Sequence, residues 1–287
     1  MSIWDCLIAL LFGLVEGITE WLPISSTGHM IILNEFFELN VSENFFDLFL
    51  VVIQFGAVLA VLVLFWKDIW PFGIKDNELP LADKGIGRFI YKNKFILWLK
   101  ILLACIPAAV VGVIFGDALD RLFYNYICVS IALIVFGIAF IVVEKIIGEK
   151  NSSVNEVEEI SYSKSFIVGL FQLIAAIFPG TSRSGATIVG SLGIGIKRSA
   201  AARFTFYLAI PVMLGASLLK IITYEGSVTK DEVILLLIGM SSACAVSFLV
   251  ISKLMAYIRK HDFKVFGVYR IILGLVILLL GACGIIG

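Results

Sequence analysis

The sequence predicts an all-α polytopic membrane protein, and three observations carry that reading. The 287 residues are 60% hydrophobic and only 15% charged, where a soluble domain is nearer half and a quarter. Mean hydropathy is +1.05. Six apolar runs of about 20 residues are each long enough to cross a hydrocarbon core of about 30 Å. They are Phe45–Trp66, Phe95–Phe115, Leu122–Val143, Phe204–Ile222, Val233–Ile251 and Val265–Ile286. Helices are expected because an open structure of another kind leaves its backbone unsatisfied in lipid.

Two further apolar regions are broken. Residues 3–33 are interrupted by Glu16, Glu20, Pro23 and Ser25-Ser26-Thr27-Gly28-His29. Residues 165–196 are interrupted by Gln172, Pro179, Gly180 and Thr181-Ser182-Arg183-Ser184-Gly185. At an offset of 156, Gly13-Leu14-Val15-Glu16 aligns with Gly169-Leu170-Phe171-Gln172. Pro23 then meets Pro179, Ser25 meets Thr181 and Ser26 meets Ser182. Pro stops a helix and a polar Gly-rich turn restarts one, so each region is expected to be a re-entrant helix–loop–helix. Each is followed by three spans. A hairpin returns to its own side and three spans do not, so the halves, about 1–150 and 151–287, are expected to form one membrane domain of two inverted-topology repeats. In such architectures the site lies at the repeat interface.

Charge supplies an orientation. With the N-terminus on one side, the opposite side receives sixteen basic residues: six between Lys67 and Lys94 (Lys75 among them), three between Lys145 and Lys164 (Lys150 among them), three between Lys197 and Arg203, and four between Lys253 and Lys264. The N-terminal side receives Arg121 and Lys230, with Lys220 near a span end. The positive-inside rule makes the sixteen-residue side cytoplasmic, which places the termini and the mouth of the first hairpin on the outer face of a cell membrane. The first Lys or Arg is Lys67, so the start lacks the basic region of a cleavable signal. A net charge of zero supplies no global field for nucleic acid. The five cysteines are scattered through apolar segments without metal or redox spacing and read as small buried hydrophobes. His261, the Lys67–Lys94 segment and the acidic stretch Glu156–Glu159 read as solvated. Pro107 and Pro211 are expected to kink their helices.

The chemistry lies in the broken segments. Glu16 and Glu20, four apart, share a helix face, and two carboxylates there are costly in a membrane unless paired or functional. They suit a hard cation, Mg²⁺ or Ca²⁺, or acid/base work; structurally, one could pair with an Arg. A loop histidine alone is usually a hydrogen-bonding partner, but His29 beside Glu16, Glu20 and Ser26 is a candidate acid/base. Ser25, Ser26 and Thr27 either cap the second half-helix or supply an activated hydroxyl; spacing does not choose. Arg183 precedes a helix expected to restart at about Gly185, and a helix N-terminus with a guanidinium clamps phosphate. Ser182 and Thr187 can donate as well. Gln54 and Asp47 are weaker candidates to line the site.

Carboxylates, imidazole, hydroxyls and guanidinium together suit phosphoryl transfer on a lipid. Glu16-Gly17-Ile18-Thr19-Glu20-Trp21-Leu22-Pro23-Ile24-Ser25-Ser26-Thr27-Gly28-His29 resembles the glutamate-rich motif of the undecaprenyl-pyrophosphate phosphatase family linked to bacitracin resistance, and Pro179-Gly180-Thr181-Ser182-Arg183-Ser184-Gly185-Ala186-Thr187 resembles its second motif. The resemblance runs over essentially the whole chain, Gln54 included. It implies hydrolysis of undecaprenyl pyrophosphate to the monophosphate carrier of envelope polymer synthesis, a divalent cation and an outward-opening site. By it, Glu16 and Glu20 are metal or acid/base carboxylates, Glu20, Ser26, His29 and Arg183 are catalytic, with Ser26 as nucleophile, and Arg183, Ser182 and Thr187 bind phosphate. The chain departs from the family at Arg203, where a carboxylate is usual. A homodimer is left open. The rival readings are a polyprenyl-phosphate lipid transporter, which also uses broken helices, and a structural subunit, which has no use for buried Glu, His and Arg.

Overall fold

The computed structural model describes residues 2–73, 79–147 and 152–286; Lys75 and Lys150 lie outside them. Among the described residues the regular elements are helices, with a few isolated β-bridges. In chain order these are α1 (Ile3–Thr19), α2 (Ser26–Phe36), α3 (Glu43–Leu64), the short α4 (Trp66–Ile69), α5 (Lys92–Phe123), α6 (Tyr126–Ile146), α7 (Tyr162–Ile177), α8 (Arg183–Gly193), α9 (Arg198–Ile222), α10 (Lys230–Ile258) and α11 (Lys264–Ala282). Short 3₁₀ turns occupy Gly85–Phe89 and Val157–Glu159.

Six helices, α3, α5, α6, α9, α10 and α11, are long and apolar enough to cross a membrane by length and composition. They are the six runs expected, with shifted ends. Helix α6 begins at Tyr126 and not Leu122, because the Asn125 side chain accepts the Cys128 N–H at 2.9 Å and caps the helix there. Helix α5 continues past Phe115 to Phe123. Pro107 and Pro211 lie within α5 and α9 without ending them. Side chains such as Val113, Leu249 and Leu279 are more than 60% exposed, a liability in water and the expected lining against lipid.

Both broken regions are pairs of helices in contact, α1 with α2 and α7 with α8. Helices α1 and α7, 17 and 16 residues long, extend roughly 25 Å, and the 11-residue α2 and α8 roughly 16 Å. Each long arm packs on a span from elsewhere in the chain, α1 on α10 and α7 on α5. Glycine permits both contacts. A Cβ on Gly13 would collide with the Gly239 carbonyl of α10, and one on Gly169 with the Ala104 carbonyl of α5; small residues of this kind let helix backbones approach inside membranes. Helices α6 and α11 meet at Gly137 and Gly267, where a Cβ on either would strike the other's carbonyl oxygen. Helix α8 lies in the centre, with nine of its eleven residues buried.

At the start of α9, Arg198 grips Glu144 of α6 with two hydrogen bonds, 2.9 and 2.6 Å, and Glu144 also accepts the Phe263 N–H at 3.0 Å. This ties α6, α9 and the α10–α11 turn together. The Glu156–Glu159 stretch is less solvated than expected: Val157 is buried, its 3₁₀ turn packs on α5 and α9, and the Glu158 carbonyl accepts the Lys100 ammonium at 2.7 Å.

Candidate active site

Helix α1 ends where its sequence turns polar. Glu16 and Glu20 follow one another by a turn, with the Glu20 N–H on the Glu16 carbonyl at 3.0 Å, and both are buried. The Glu20 carboxylate is the hub. One oxygen accepts the Arg183 guanidinium at 2.9 Å and the other the Ser26 hydroxyl at 3.1 Å. Its backbone carbonyl accepts the Ser184 hydroxyl at 3.1 Å. Arg183 also donates to the Thr205 carbonyl at 2.8 Å, while its Nε is buried without a partner. Residues 163 apart in sequence thus form a buried ion pair, which persists only where geometry and extra hydrogen bonds offset desolvation.

The two turns share an unusual backbone. Ser25 and Ser182 are the non-glycine residues with positive φ among those described, 71° and 66°. Each stands immediately before its second helix, which begins at Ser26 and at Arg183. Helix α8 therefore restarts two residues earlier than expected, because the Ser182 hydroxyl accepts the Gly185 N–H at 3.2 Å and caps it. In structural terms Ser25 corresponds to Ser182 and Ser26 to Arg183; the second turn holds one residue more between its Pro and its cap.

A cavity of about 520 Å³ opens against this arrangement, lined by Glu16, Ser26, Thr27, Asp47, Gln54, Arg121, Tyr124 and Lys220 with apolar Met30, Leu50 and Val51. Glu20 and Arg183 do not line it, but Ser26, which does, donates to Glu20. A neighbouring concavity of the same volume shares Arg121 and Lys220, so two cations line the approach. Lys220 pairs loosely with Asp47 at 3.4 Å.

His29 stands beside this cavity and not on it. Its Nδ1 lies 2.7 Å from the Ser25 carbonyl and its Nε2 2.7 Å from the Tyr269 hydroxyl, whose ring it stacks on at 5.7 Å. A carbonyl accepts only, so Nδ1 carries a proton and a neutral ring would accept the tyrosine O–H at Nε2. The Ser25 hydroxyl is buried without a partner. Thr187 is fully buried: its hydroxyl contacts the Arg183 and Ser184 carbonyls at 2.9 and 3.2 Å and the Thr205 hydroxyl at 2.9 Å. Ser182 contacts Ser184 at 3.0 Å; neither Ser182 nor Thr187 lines the cavity. The structure therefore brings together Glu16, Glu20, Ser26, Thr27, Gln54 and Arg183, and sets His29, Ser25, Ser182 and Thr187 around them.

Sequence reasoning missed Arg270. It is fully buried in α11 and donates to the Pro23 carbonyl of the first turn at 3.2 Å and to the Gly180 and Thr181 carbonyls of the second at 3.0 and 2.7 Å. It stitches the two turns together. An arginine inside an apolar span was itself the signal, since an ionisable group there has a purpose by default. Tyr269, Arg121 and Lys220 were missed as site residues too.

The cation expectation can be set against the donor set. Among the described residues no three His, Cys, Asp or Glu side chains converge, and both Glu20 oxygens are engaged. Glu16 Oε1, however, is buried without a partner on a residue of the cavity wall. One carboxylate with water and substrate phosphate is the usual environment of Mg²⁺, so the residues fit such an ion.

Comparison with known proteins shows the family. The chain is 52% identical over 279 residues, 97% of both chains, to the undecaprenyl-diphosphatase of Desulfitobacterium hafniense. It is 53% identical over 274 residues, 96% of both, to undecaprenyl-diphosphatase 1 of Clostridium acetobutylicum. It is 48% identical over 278 residues, 97% of this chain and 98% of the relative, to the undecaprenyl-diphosphatase of Enterococcus faecalis. The family model described as bacitracin resistance protein BacA matches residues 9–276, and this chain belongs to that family.

Proposed function

We propose that this protein hydrolyses undecaprenyl pyrophosphate, or a related polyprenyl pyrophosphate, to the monophosphate and inorganic phosphate. The carrying observation is the Glu20–Ser26–Arg183 arrangement behind a polar cavity in an otherwise apolar helical protein. The terminal phosphate enters past Arg121 and Lys220 and reaches Arg183, whose unpartnered Nε and shared Nη2 point to a site that exchanges a carboxylate for a phosphate. Binding there loosens the Arg183–Glu20 pair and leaves Glu20 free to take the Ser26 proton across the existing hydrogen bond. Ser26 Oγ then attacks the terminal phosphorus, the bridging P–O bond breaks, and the lipid monophosphate leaves. Water cleaves the phosphoserine in a second displacement. His29 holds the Ser25 carbonyl and so the backbone on which Ser26 sits. Thr187 and Ser182 fix α8 and Arg183 from within. Glu16 would hold a divalent cation, which supplies charge neutralisation of the pyrophosphate.

Two inverted repeats fit the packing. Helix α1 lies on α10 as α7 lies on α5, and Gly13 stands to Gly169 at the offset of 156 read from the sequence. The Gly137–Gly267 contact of α6 with α11 is reciprocal, as a two-fold axis requires. The distribution of basic residues orients the cavity outward from a cell membrane, where the released phosphate would not return to the cytoplasm.

Phosphate release by purified protein from long and short polyprenyl pyrophosphates tests the reading. Release should depend on Ser26 and Glu20, stop with chelator and return with Mg²⁺ or Ca²⁺. Binding without release would instead favour a lipid carrier, the role that broken helices support in transporters.

A further inference from the structure

Helix α9 carries Lys220 at one end beside the catalytic cavity. Seventeen residues earlier, roughly 25 Å along the helix axis, its other end borders a second concavity. This space, about 330 Å³, is lined by Lys197, Ser199 and Arg203 of the α9 start, Glu156 of the segment before α7, and Met255, Ile258 and Arg259 of the α10 end. Three cations and one carboxylate face it.

The cations outnumber the one carboxylate that faces them. Arg198, their neighbour, has its own buried carboxylate in Glu144. Among the described residues Lys197, Arg203 and Arg259 have no ion pair and no side-chain hydrogen bond. The Arg203 Nε is buried and unpaired, a costly state for a charged donor. Lys197 caps α9 without a side-chain bond, so the first-turn N–H groups of a helix whose start lines this space have no acceptor from the cap. Ser199 adds a hydroxyl. Guanidinium, ammonium, hydroxyl and helix N-terminus together are the donor set of a phosphate site. Basic pockets between spans take anionic lipid head groups.

We propose that this concavity is a phosphate-binding site, separate from the catalytic cavity, that takes a phosphate ester of a lipid head group or free phosphate. Arg203 is its central ligand, Lys197 and Arg259 flank it, and Glu156 limits it to one anionic group at a time.

Thermal-shift titration of the full-length protein in a neutral detergent tests this, with dihexanoyl phosphatidylglycerol, dihexanoyl phosphatidylcholine and inorganic phosphate as probes. Wild type is expected to be stabilised by phosphatidylglycerol and not by phosphatidylcholine, with the apparent affinity at least about tenfold weaker in R203Q and weakened less in R259Q. Protection by inorganic phosphate that is lost in R203Q assigns the site to free phosphate; protection by phosphatidylglycerol alone, lost in R203Q, assigns it to a lipid head group. R203Q should still release phosphate from polyprenyl pyrophosphate, which shows that it is folded. Should R203Q fail to fold, R259Q, altered at an exposed position, carries the same comparison. No protection of wild type by either anion, equal protection by phosphatidylcholine, or unchanged affinity in both variants overturns the proposal.

Discussion

The two broken hairpins are built alike and do different work. Each has a long arm of 16 or 17 residues, a short arm of 11, a glycine that lets the long arm press on a distant span, and a strained serine before the short arm. Yet the first ends its long arm in Glu16 and Glu20, where the second, at the offset of 156, has Gln172 and Ala176. The second begins its short arm with Arg183, where the first has Ser26. One hairpin holds the anions and the hydroxyl, the other the cation. Equivalent scaffolds have thus been given complementary charges, and neither half alone presents a group able both to bind phosphate and to take a proton.

Replacing Arg183 by Ala strikes the comparison hardest. We expect kcat to fall about a thousandfold. Thermal stability should drop as well, since an abandoned partner of a buried ion pair costs about 3–5 kcal/mol. Single-turnover phosphate release and a melting curve measure the two effects, and near-wild-type release would end the account given above. Next in size is Arg270→Met, which orphans three carbonyls across both turns. Release should fall steeply with little change in KM for the molecules that remain folded, and Arg270→Lys should recover part of it; a wild-type rate would mean the turns hold their places unaided. Thr187→Val should lower stability by about 1 kcal/mol while kcat stays near wild type, because its hydroxyl serves the interior. A loss rivalling that of Arg183→Ala would instead put Thr187 on the substrate. The smallest effects compare the two serines. Ser25→Gly relieves positive-φ strain of about 1 kcal/mol or more and should raise the melting temperature, since its hydroxyl bonds nothing. Ser182→Gly gains the same relief but forfeits the cap on Gly185, so its change should be smaller. Equal shifts would show that the cap contributes little.

Much of this was legible in the sequence. Six spans followed from apolar length alone, and the breakers Pro23 and Pro179 marked both turns. Glu16, Glu20 and Arg183 could be named because charges inside an apolar region require partners, whereas Ser26 was told from Ser25 and Thr27 only by the family resemblance. The one-residue difference between the turns could not be read, for a turn's register depends on which serine adopts the strained backbone. The inward placing of Thr187 could not be read, because nine of the eleven residues of α8 are buried and a polar position on such a helix can face either the cavity or the core. Arg121 and Lys220 join the cavity only through the way the ends of α5 and α9 meet. Arg270 was visible throughout as a lone charge in the final span, and its bonds to two distant turns were not.

The position of Arg270 also bears on how the protein is made. Both turns it holds are complete before α11 has been synthesised, so the first waits with its carbonyl unanswered while five spans insert and the second while two do. The site is closed by the last helix to arrive. A chain cut short before residue 270 would keep the residues proposed to meet substrate and still lack the bonds that hold the two turns together, so that activity would report on whether translation had passed residue 270.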